Sequence, residues 1–233
     1  MAEADRSARA VRRPLSRERI VDAALELADS AGLSGTTMRA LATTLGVEAM
    51  SLYNHVRNRD DLLDGMVDAV FAQIELPSGT GDWAEELRAR SHSAHAVLTR
   101  HPWAVGLMDS RRAPGPATLR HHDAVLGALR AGGFSIAGAL HAFSLLDSYL
   151  YGYCLQEQSM PFDGADELAE VATGIAESMG DDYPWLSEAI TQRALAPDYA
   201  YGDEFAVGLD LILGALAPDG LPTVPGGRRA EPS

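Results

Sequence analysis

Residues 49–55 place small, apolar and hydrogen-bonding side chains together in the short segment Ala-Met-Ser-Leu-Tyr-Asn-His. An asparagine amide can pair with two atoms on the edge of an adenine base, and apolar groups suit the methyl group of thymine. The segment offers Ala49, Met50, Ser51, Tyr53 and Asn54 as candidates for such contacts. This mixture of side chains, which carries no strong charge, favours contact with base edges in the major groove of DNA.

Side chains on either side of this segment suit the DNA backbone instead. Thr37, His55 and Arg59 can donate hydrogen bonds to phosphate oxygens, which position a protein on DNA without specifying sequence. Residues 6–19 contain six arginines and one acid, Glu18, which gives this stretch a local charge of +5. From charge alone, a phosphate-binding arm and an arginine-rich tail without function are equally compatible with that stretch.

The surrounding pattern predicts the elements that would position these side chains. A helix over 16–31 is followed by a short helix over 37–45, in which Leu41, Ala42 and Leu45 are apolar at helical spacing. Gly46 then begins a three-residue turn before a second short helix over 49–54. This is the spacing of a helix-turn-helix, although three-helix pieces with the same spacing also occur in protein cores.

The overall charge of −14 at first argues against DNA binding, because such binding depends on neutralising phosphates. The charge is unevenly distributed: residues 1–64 carry nine arginines and ten acids, whereas residues 65–233 carry ten arginines and 23 acids. A near-neutral N-terminal segment therefore precedes an acidic body. With one cysteine, no apolar stretch of membrane-spanning length and no apolar signal region, we expect a cytoplasmic protein without disulfides.

Helical periodicity dominates the rest of the chain, so the predicted fold class is all-α. Further helices are predicted over 58–76, 83–100, 117–131, 135–158, 165–179 and 201–217, with shorter pieces near residues 102 and 185–190. The predicted domains are a basic disordered arm (1–15), a helix-turn-helix domain (16–57), a connecting helix (58–76), a larger helical domain (77–217) and a disordered tail (218–233).

Several segments resemble TetR-family transcriptional regulators, and in particular the tetracycline-repressor branch. They include Ser16-Arg-Glu-Arg-Ile-Val-Asp-Ala-Ala-Leu25, Thr37-Met-Arg-Ala-Leu-Ala42, Leu45-Gly-Val47 and Leu52-Tyr-Asn-His-Val-Arg-Asn-Arg-Asp-Asp-Leu-Leu-Asp64. The resemblance implies three helices for DNA, a connecting fourth helix and a helical domain for ligand binding and dimerisation. It also implies a homodimer on a palindromic double-stranded operator, most often a repressor released by a small-molecule inducer.

The residue pattern and the resemblance, carried over by position, together give one list of DNA contacts: Thr37, Arg39, Ala49, Met50, Ser51, Tyr53, Asn54, His55 and Arg59. Arg39 enters only through the resemblance, as a base-reading or phosphate-contacting residue. The tetracycline repressor has a tryptophan before the groove-facing histidine, whereas this chain has Asn54. We therefore expect a different operator sequence.

The same resemblance implies a ligand pocket, but its metal ligands are missing. The tetracycline repressor binds the drug's magnesium through histidines and a glutamate. Here the matching positions fall at Ala72-Gln-Ile74, at Leu107 or Met108, and at Gln156. We expect no response to magnesium–tetracycline, no cofactor and no metal site.

Candidate pocket residues are the polar, aromatic or flexible side chains on the central helices: His95, Trp103, Met108, Phe143, Asp147, Tyr151 and Gln156. Phe143 and Tyr151 also fit a plain core or dimer interface. Asp147 lies in an otherwise apolar helix, so it must be paired, exposed or in contact with ligand. We expect His121 and His122 on a surface helix and Cys154 in the core.

The helices over 135–158 and 201–217 carry more apolar surface than a monomer would expose, and the resemblance assigns them to a four-helix dimer interface. An enzyme is disfavoured, because the chain has no His-Glu-x-x-His, Glu-x-x-His or Gly-x-Ser-x-Gly motif. A transcriptional activator and a helical adaptor that no longer binds DNA remain as alternatives.

Overall fold

The structure, a computed structural model, describes residues 14–162, 164–179 and 182–218. Every regular element in these ranges is a helix, which confirms the all-α prediction. The predicted arm and tail lie almost wholly outside the described residues. Within the described ranges, no helix has the length and apolarity needed to cross a membrane.

The first four helices form one unit around a small apolar core. They are α1 (Arg17–Gly35), α2 (Met38–Leu45), α3 (Ala49–Leu52) and α4 (Arg59–Phe71). Side-chain oxygens of Ser16, Thr37 and Asn58 accept hydrogen bonds from backbone amides in the first turns of α1, α2 and α4. The core beneath them includes Ile20, Ala24, Leu41, Leu52, Leu62 and Met66.

Two helix ends differ from the sequence prediction. The first helix was expected to end at Gly32; that glycine has φ 69° and breaks the helix, but one more helical turn continues to Gly35. The fourth helix ends at Phe71 rather than near residue 76. Gln73 and Ile74 instead donate to carbonyls three residues back, in tighter turns. Ile74 is nevertheless buried, so the apolar pattern continues past the end of the helix.

The remaining helices form a second, larger unit. They are α5 (Trp83–Arg100), a 3-10 helix (Pro102–Leu107), α6 (Pro116–Ala131), α7 (Ile136–Gln158), α8 (Ala165–Met179), α9 (Pro184–Ala189) with a π-helical turn (Ile190–Ala194), and α10 (Glu204–Ala215) after a 3-10 turn (Tyr201–Asp203). The core is built mainly from α5, α6, α7 and α10, and includes Leu87, Leu98, Leu129, Phe134, Leu150 and Phe205.

Candidate functional site

One side of helix α3 packs against the core, and the other side is exposed to solvent. Leu52 is 0% exposed in the core, whereas Met50 is 75% exposed on the same short helix. Tyr53, Asn54 and His55 follow in a turn and are also exposed. The helix is shorter than the predicted 49–54, because only Ala49–Leu52 is α-helical. Its exposed side chains nevertheless form one surface that a major groove about 12 Å wide can accept.

The turn between α2 and α3 depends on Gly46. Gly46 adopts the left-handed conformation, with φ 65° and ψ 40°, and its amide donates to carbonyls at the end of α2. The amide of Val47 donates to the Ala42 carbonyl at 3.0 Å. A residue without a Cβ takes this conformation at little cost, so the glycine sets the angle at which α3 leaves α2.

The predicted phosphate contacts lie around the same surface. Thr37 and Arg39 are exposed at the start of α2, and the Thr37 hydroxyl accepts from the Ala40 amide at 3.1 Å while its proton remains available. Arg59 is exposed at the start of α4 and donates to the Leu33 carbonyl at 3.1 Å. The DNA-contact assignments of all nine residues remain predictions.

A buried carboxylate supports this surface from behind. Both oxygens of Asp61 accept hydrogen bonds from Arg17, each at 3.0 Å, and Oδ2 also accepts from the Arg57 amide at 2.8 Å. Burial alone would raise the pKa of Asp61, but these hydrogen bonds outweigh it and lower the pKa to about 2. Asp61 therefore links the start of α4 to the start of α1 through an ion pair with Arg17, which the sequence did not predict.

Helix α4 also makes polar contacts with the larger unit. Arg111 donates from Nε to Asp64 at 2.6 Å, and both the amide and the hydroxyl of Thr118 donate to Asp68, at 2.8 and 3.0 Å. Asp64 and Asp68 are four residues apart, so they lie on one face of α4. Movement of the loop before α6 would therefore act directly on the helix that leads to the DNA-facing surface.

A second contact between the units centres on Asp29 of α1. Its Oδ1 accepts from Trp103 Nε1 at 2.7 Å and lies 2.8 Å from His101 Nδ1. His101 Nε2 is within 3.2 Å of the Gln73 side chain, just after α4. Trp103, a predicted ligand residue, therefore contacts the DNA-binding unit.

The larger unit contains a buried polar cluster. Arg90 of α5 is 2% exposed; its Nη1 donates to Asp147 Oδ1 at 2.7 Å and its Nε donates to His121 Nε2 at 2.9 Å. Tyr151 donates to the other Asp147 oxygen at 3.4 Å. Burial, together with the charge of Arg90, lowers the pKa of His121 to about 2, so this imidazole is neutral.

Two of the cavities formed by the described residues lie beside the central helices of the larger unit. The smaller, of about 150 Å³, lies between α4, the segment after the 3-10 helix and α6, and its lining includes Asp64, Val67, Met108, Asp109, Arg111, Thr118 and His122. The larger, of about 340 Å³, lies near the ends of α5 and α7, and its lining includes Thr99, Glu157, Met160, Phe162, Leu168 and Tyr201. The smaller cavity therefore touches the polar contacts between the two units.

The structure brings four of the seven predicted pocket residues towards one region. Asp147 and Tyr151 belong to the buried cluster, the Phe143 ring lies 5.3 Å from that of His122, and Met108 lines the smaller cavity. His95 lies elsewhere on α5, where it pairs with Glu157 at 2.8 Å and stacks on Phe205. Gln156 is exposed. None of these ligand roles is tested by the contacts.

Arg90 is not among the residues predicted from the sequence, and the prediction for His121 is wrong. His121 was expected on a surface helix, but it is 0% exposed and its ring lies 5.0 Å from that of Phe71. The sequence predicts that Asp147 needs a partner. The signal that could have found this partner is the helical spacing of α5, which places Arg90 on the same face as the apolar Leu87, three residues earlier. Cys154 is buried, as predicted, and burial raises the pKa of its thiol to about 12.

Among the described residues, no group of three or more His, Cys, Asp or Glu side chains is arranged to hold a metal ion. The exposed α3, its glycine turn and its buried supports instead define a helix-turn-helix DNA-binding protein with an appended helical domain.

Comparison with known proteins identifies the family. Residues 20–66 match the family described as "Bacterial regulatory proteins, tetR family", and residues 77–219 match "Tetracyclin repressor-like, C-terminal domain". The chain belongs to the TetR family. It is a DNA-binding transcriptional regulator and not an enzyme.

Three similar proteins illustrate the relationship. The HTH-type transcriptional repressor DrrR1 of Streptomyces coeruleorubidus is 31% identical over 97% of this chain and 84% of that protein. An HTH-type transcriptional regulator of Saccharopolyspora erythraea is 40% identical, but the match covers 59% of each protein. The crystal structure of Streptomyces coelicolor ActR in complex with (S)-DNPA has a TM-score of 0.73 at 30% identity, covering 88% of this chain and 98% of that one.

Proposed function

We propose that the protein is a repressor that binds a palindromic operator as a homodimer and is released by a small organic molecule. The observation that carries this proposal is the arrangement of α3, in which Leu52 anchors the helix while Met50, Tyr53 and Asn54 remain exposed. ActR has been crystallised in complex with (S)-DNPA and with actinorhodin, which supports a ligand-responsive role.

A dimer supplies the second α3 that a palindrome requires. The exposed faces of α7 and α10 carry large apolar side chains, among them Leu140, Leu155, Val207 and Leu211. Pairing these faces about a twofold axis buries them in a four-helix interface. The two copies of α3 would then read half-sites about 34–36 Å apart, one turn of DNA.

Release from the operator requires a ligand that favours a conformation in which the two copies of α3 no longer fit their half-sites. The smaller cavity supports this coupling, because Asp64 and Val67 of α4 line it together with Arg111. A ligand that enlarges the cavity would strain the 2.6 Å contact between Arg111 and Asp64. The movement would then pass along α4 to the helix-turn-helix.

The ligand we propose is not magnesium–tetracycline. Of the positions at which the tetracycline repressor holds magnesium, Gln156 is exposed and Met108 is a buried thioether. The thioether sulfur is a poor ligand for magnesium, which prefers oxygen, and the glutamine offers a neutral amide oxygen in place of a carboxylate. We therefore expect no release from the operator at saturating drug and metal.

The test is selection of bound DNA from a random pool, followed by a screen for compounds that release the selected site. We expect a palindrome, an affinity that falls steeply with salt, and release by an organic compound. Absence of any DNA binding at low salt would favour the adaptor alternative. Tighter DNA binding in the presence of every active compound would favour an activator or a co-repressed regulator.

A further inference from the structure

The buried cluster around Arg90 contains two polar atoms without partners. Arg90 Nη2 and His121 Nδ1 are both inaccessible to solvent, and neither makes a hydrogen bond. A buried polar group without a partner costs free energy comparable to a lost hydrogen bond. Their presence in the same cluster shows that the described residues leave two hydrogen-bonding positions open there.

Both unpartnered atoms are hydrogen-bond donors. A guanidinium group cannot accept a hydrogen bond, so His121 Nε2 must be the acceptor of the 2.9 Å bond from Arg90 Nε. In a neutral imidazole the remaining proton then lies on Nδ1. The cluster therefore needs acceptor atoms, and a ligand hydroxyl that only donates would not satisfy it.

The charges already present disfavour an anionic ligand. The positive charge of Arg90 is compensated by Asp147 at 2.7 Å, and His121 is neutral. Asp109 lies within electrostatic range of Arg90 and Asp147, and burial and the charge of Asp147 raise its pKa. A carboxylate ligand would add negative charge to a cluster whose single cation is already paired.

The surroundings are aromatic and adjoin a cavity. The Arg90 guanidinium lies 6.0 Å from the centre of the Phe143 ring, and His122 lies against both Phe143 and Phe71, at 5.3 and 5.5 Å between ring centres. His122 and Asp109 line the smaller cavity of about 150 Å³. A flat ring entering this cavity would meet other rings, which favour edge-on or offset packing.

We propose that the inducer is an uncharged aromatic compound whose carbonyl oxygen accepts a hydrogen bond from Arg90 Nη2 or His121 Nδ1. This inference rests on the proposed function, since it names the chemical class of the molecule that causes release. The carbonyl oxygen supplies the acceptor that the cluster lacks, without adding charge. The aromatic ring occupies the space beside His122 and Phe143.

The experiment uses matched sets of small compounds and the full-length chain. One set is 1-indanone, indane and indane-1-carboxylate; a larger set is 9-fluorenone, fluorene and fluorene-9-carboxylate. Affinities are measured by ligand-observed NMR titration. In at least one set we expect the ketone to bind about ten-fold more tightly than both the hydrocarbon and the carboxylate.

Substitutions in the cluster test whether its side chains cause the preference for the ketone. His121→Phe removes the Nδ1 donor but keeps an aromatic ring against Phe71, and Arg90→Met with Asp147→Asn removes both buried charges together. Each should reduce the preference for the ketone to about two-fold or less. His92→Phe is the matched control, because it makes the same change at an exposed histidine of α5 that is not among the candidate pocket residues, and it should keep the full preference.

Three outcomes would overturn the inference: equal binding of ketone and hydrocarbon in both sets, tighter binding of the carboxylates, or a preference that survives both cluster variants. If the variants do not fold, the affinities of the unaltered chain for the ketone, the hydrocarbon and the carboxylate of each set still test the inference. Operator binding without compounds is measured in parallel, so that loss of the proposed function is recognised separately from loss of this inference.

Discussion

Asp61 shows how one carboxylate can support a DNA-facing surface without belonging to it. Its oxygens accept hydrogen bonds from Arg17 and from the Arg57 amide, on both sides of the chain segment that contains α2 and α3. The carboxylate is buried, so screening by solvent is weak and the ion pair depends on precise geometry. Removing its charge should therefore loosen the whole helix-turn-helix.

We predict that Asp61→Asn lowers the free energy of unfolding by about 2 kcal/mol at pH 7. The pKa is lower in the folded state, about 2, than its ordinary value of 3.8, so the contribution is present above pH 4 and is lost as pH falls towards 2. The difference between the two proteins should shrink below pH 4. Urea unfolding followed by circular dichroism at several pH values measures it.

Asp60→Asn is the control for this prediction, because the Asp60 side chain is exposed and its carboxylate lies 3.5 Å from Arg111, while the shorter 3.1 Å contact with Arg111 is made by the backbone carbonyl. It should change stability by a few tenths of a kcal/mol at most. A difference between Asp61→Asn and the unaltered chain that stayed constant from pH 7 to pH 3 would contradict the assignment.

Asn54 and Arg59 should contribute differently to DNA binding: Asn54 to base preference and Arg59 to affinity for every sequence. Asn54→Ala should relax base preference at one half-site position, costing about ten-fold in discrimination, because a paired amide contact is lost. Arg59→Ala should weaken binding to all sequences alike, because a phosphate contact carries no sequence information. Binding to the selected operator and to random DNA is measured at one salt concentration.

Arg120→Ala, at an exposed position on α6, makes the same charge change far along the chain and should alter neither affinity. An equal loss on operator and random DNA for Asn54→Ala would contradict its assignment to a base contact, and a loss confined to the operator for Arg59→Ala would contradict its assignment to a phosphate contact.

At the residue scale, the sequence could identify groups in need of partners but not the partners themselves. Asp147 stood out because its helix is otherwise apolar, whereas Arg90 lies in a helix rich in polar residues. The two are 57 positions apart, and no local pattern links them. His121 appeared exposed for the same reason, since its burial depends on Phe71 of a distant helix.

At the element scale, the helix-turn-helix depends on a single left-handed residue. We predict that Gly46→Ala destabilises the protein by about 1 kcal/mol, because an L-residue is strained at φ 65°. It should also weaken operator binding, since relief of that strain turns α3 relative to α2. Thermal unfolding and operator titration provide the two measurements.

Gly174→Ala is the matched control. Gly174 lies inside α8, and an added methyl group would meet nothing within 4 Å. Alanine there should leave stability unchanged or raise it slightly, because it favours the helix. Equal destabilisation by both substitutions would show that the Gly46 conformation is not the cause.

Helix boundaries could be predicted from the sequence where a capping residue or glycine marks them. Ser16, Thr37 and Asn58 cap their helices, and Gly46 ends α2 as expected. The end of α4 could not be predicted, because buried Ile74 continues the apolar spacing after the helical hydrogen bonds have stopped. The apolar spacing shows which residues are buried, and a buried residue such as Ile74 need not belong to a helix.

At the scale of the whole molecule, charge is divided between a near-neutral N-terminal segment and an acidic remainder. Residues 65–233 carry 23 acids against ten arginines. Phosphates should repel this remainder, which leaves the surface around α3 as the favoured side of approach. The overall charge of −14 is therefore compatible with DNA binding, and it limits non-specific contact.

The proposed dimer can be tested by one substitution in its interface. Leu211 is 71% exposed on α10, within the proposed interface, so Leu211→Glu should give monomers and reduce operator binding at least ten-fold. Burying an unpaired carboxylate in each half of the interface costs several kcal/mol. Light scattering coupled to size-exclusion chromatography measures the mass in solution.

Leu119→Glu is the control, because Leu119 is exposed on α6, outside that interface. It should leave the mass and the operator affinity unchanged. A Leu211→Glu variant that remained dimeric with full operator affinity would place the interface elsewhere.

The bond between Trp103 and Asp29 gives the protein a built-in optical reporter. The indole nitrogen of Trp103 donates to a carboxylate of the DNA-binding unit at 2.7 Å, so its emission depends on whether the two units stay in contact. With Trp83 and Trp185 replaced by phenylalanine, the fluorescence of this one side chain would follow separation of the units as it happens. The kinetics of release could then be recorded without attaching a dye.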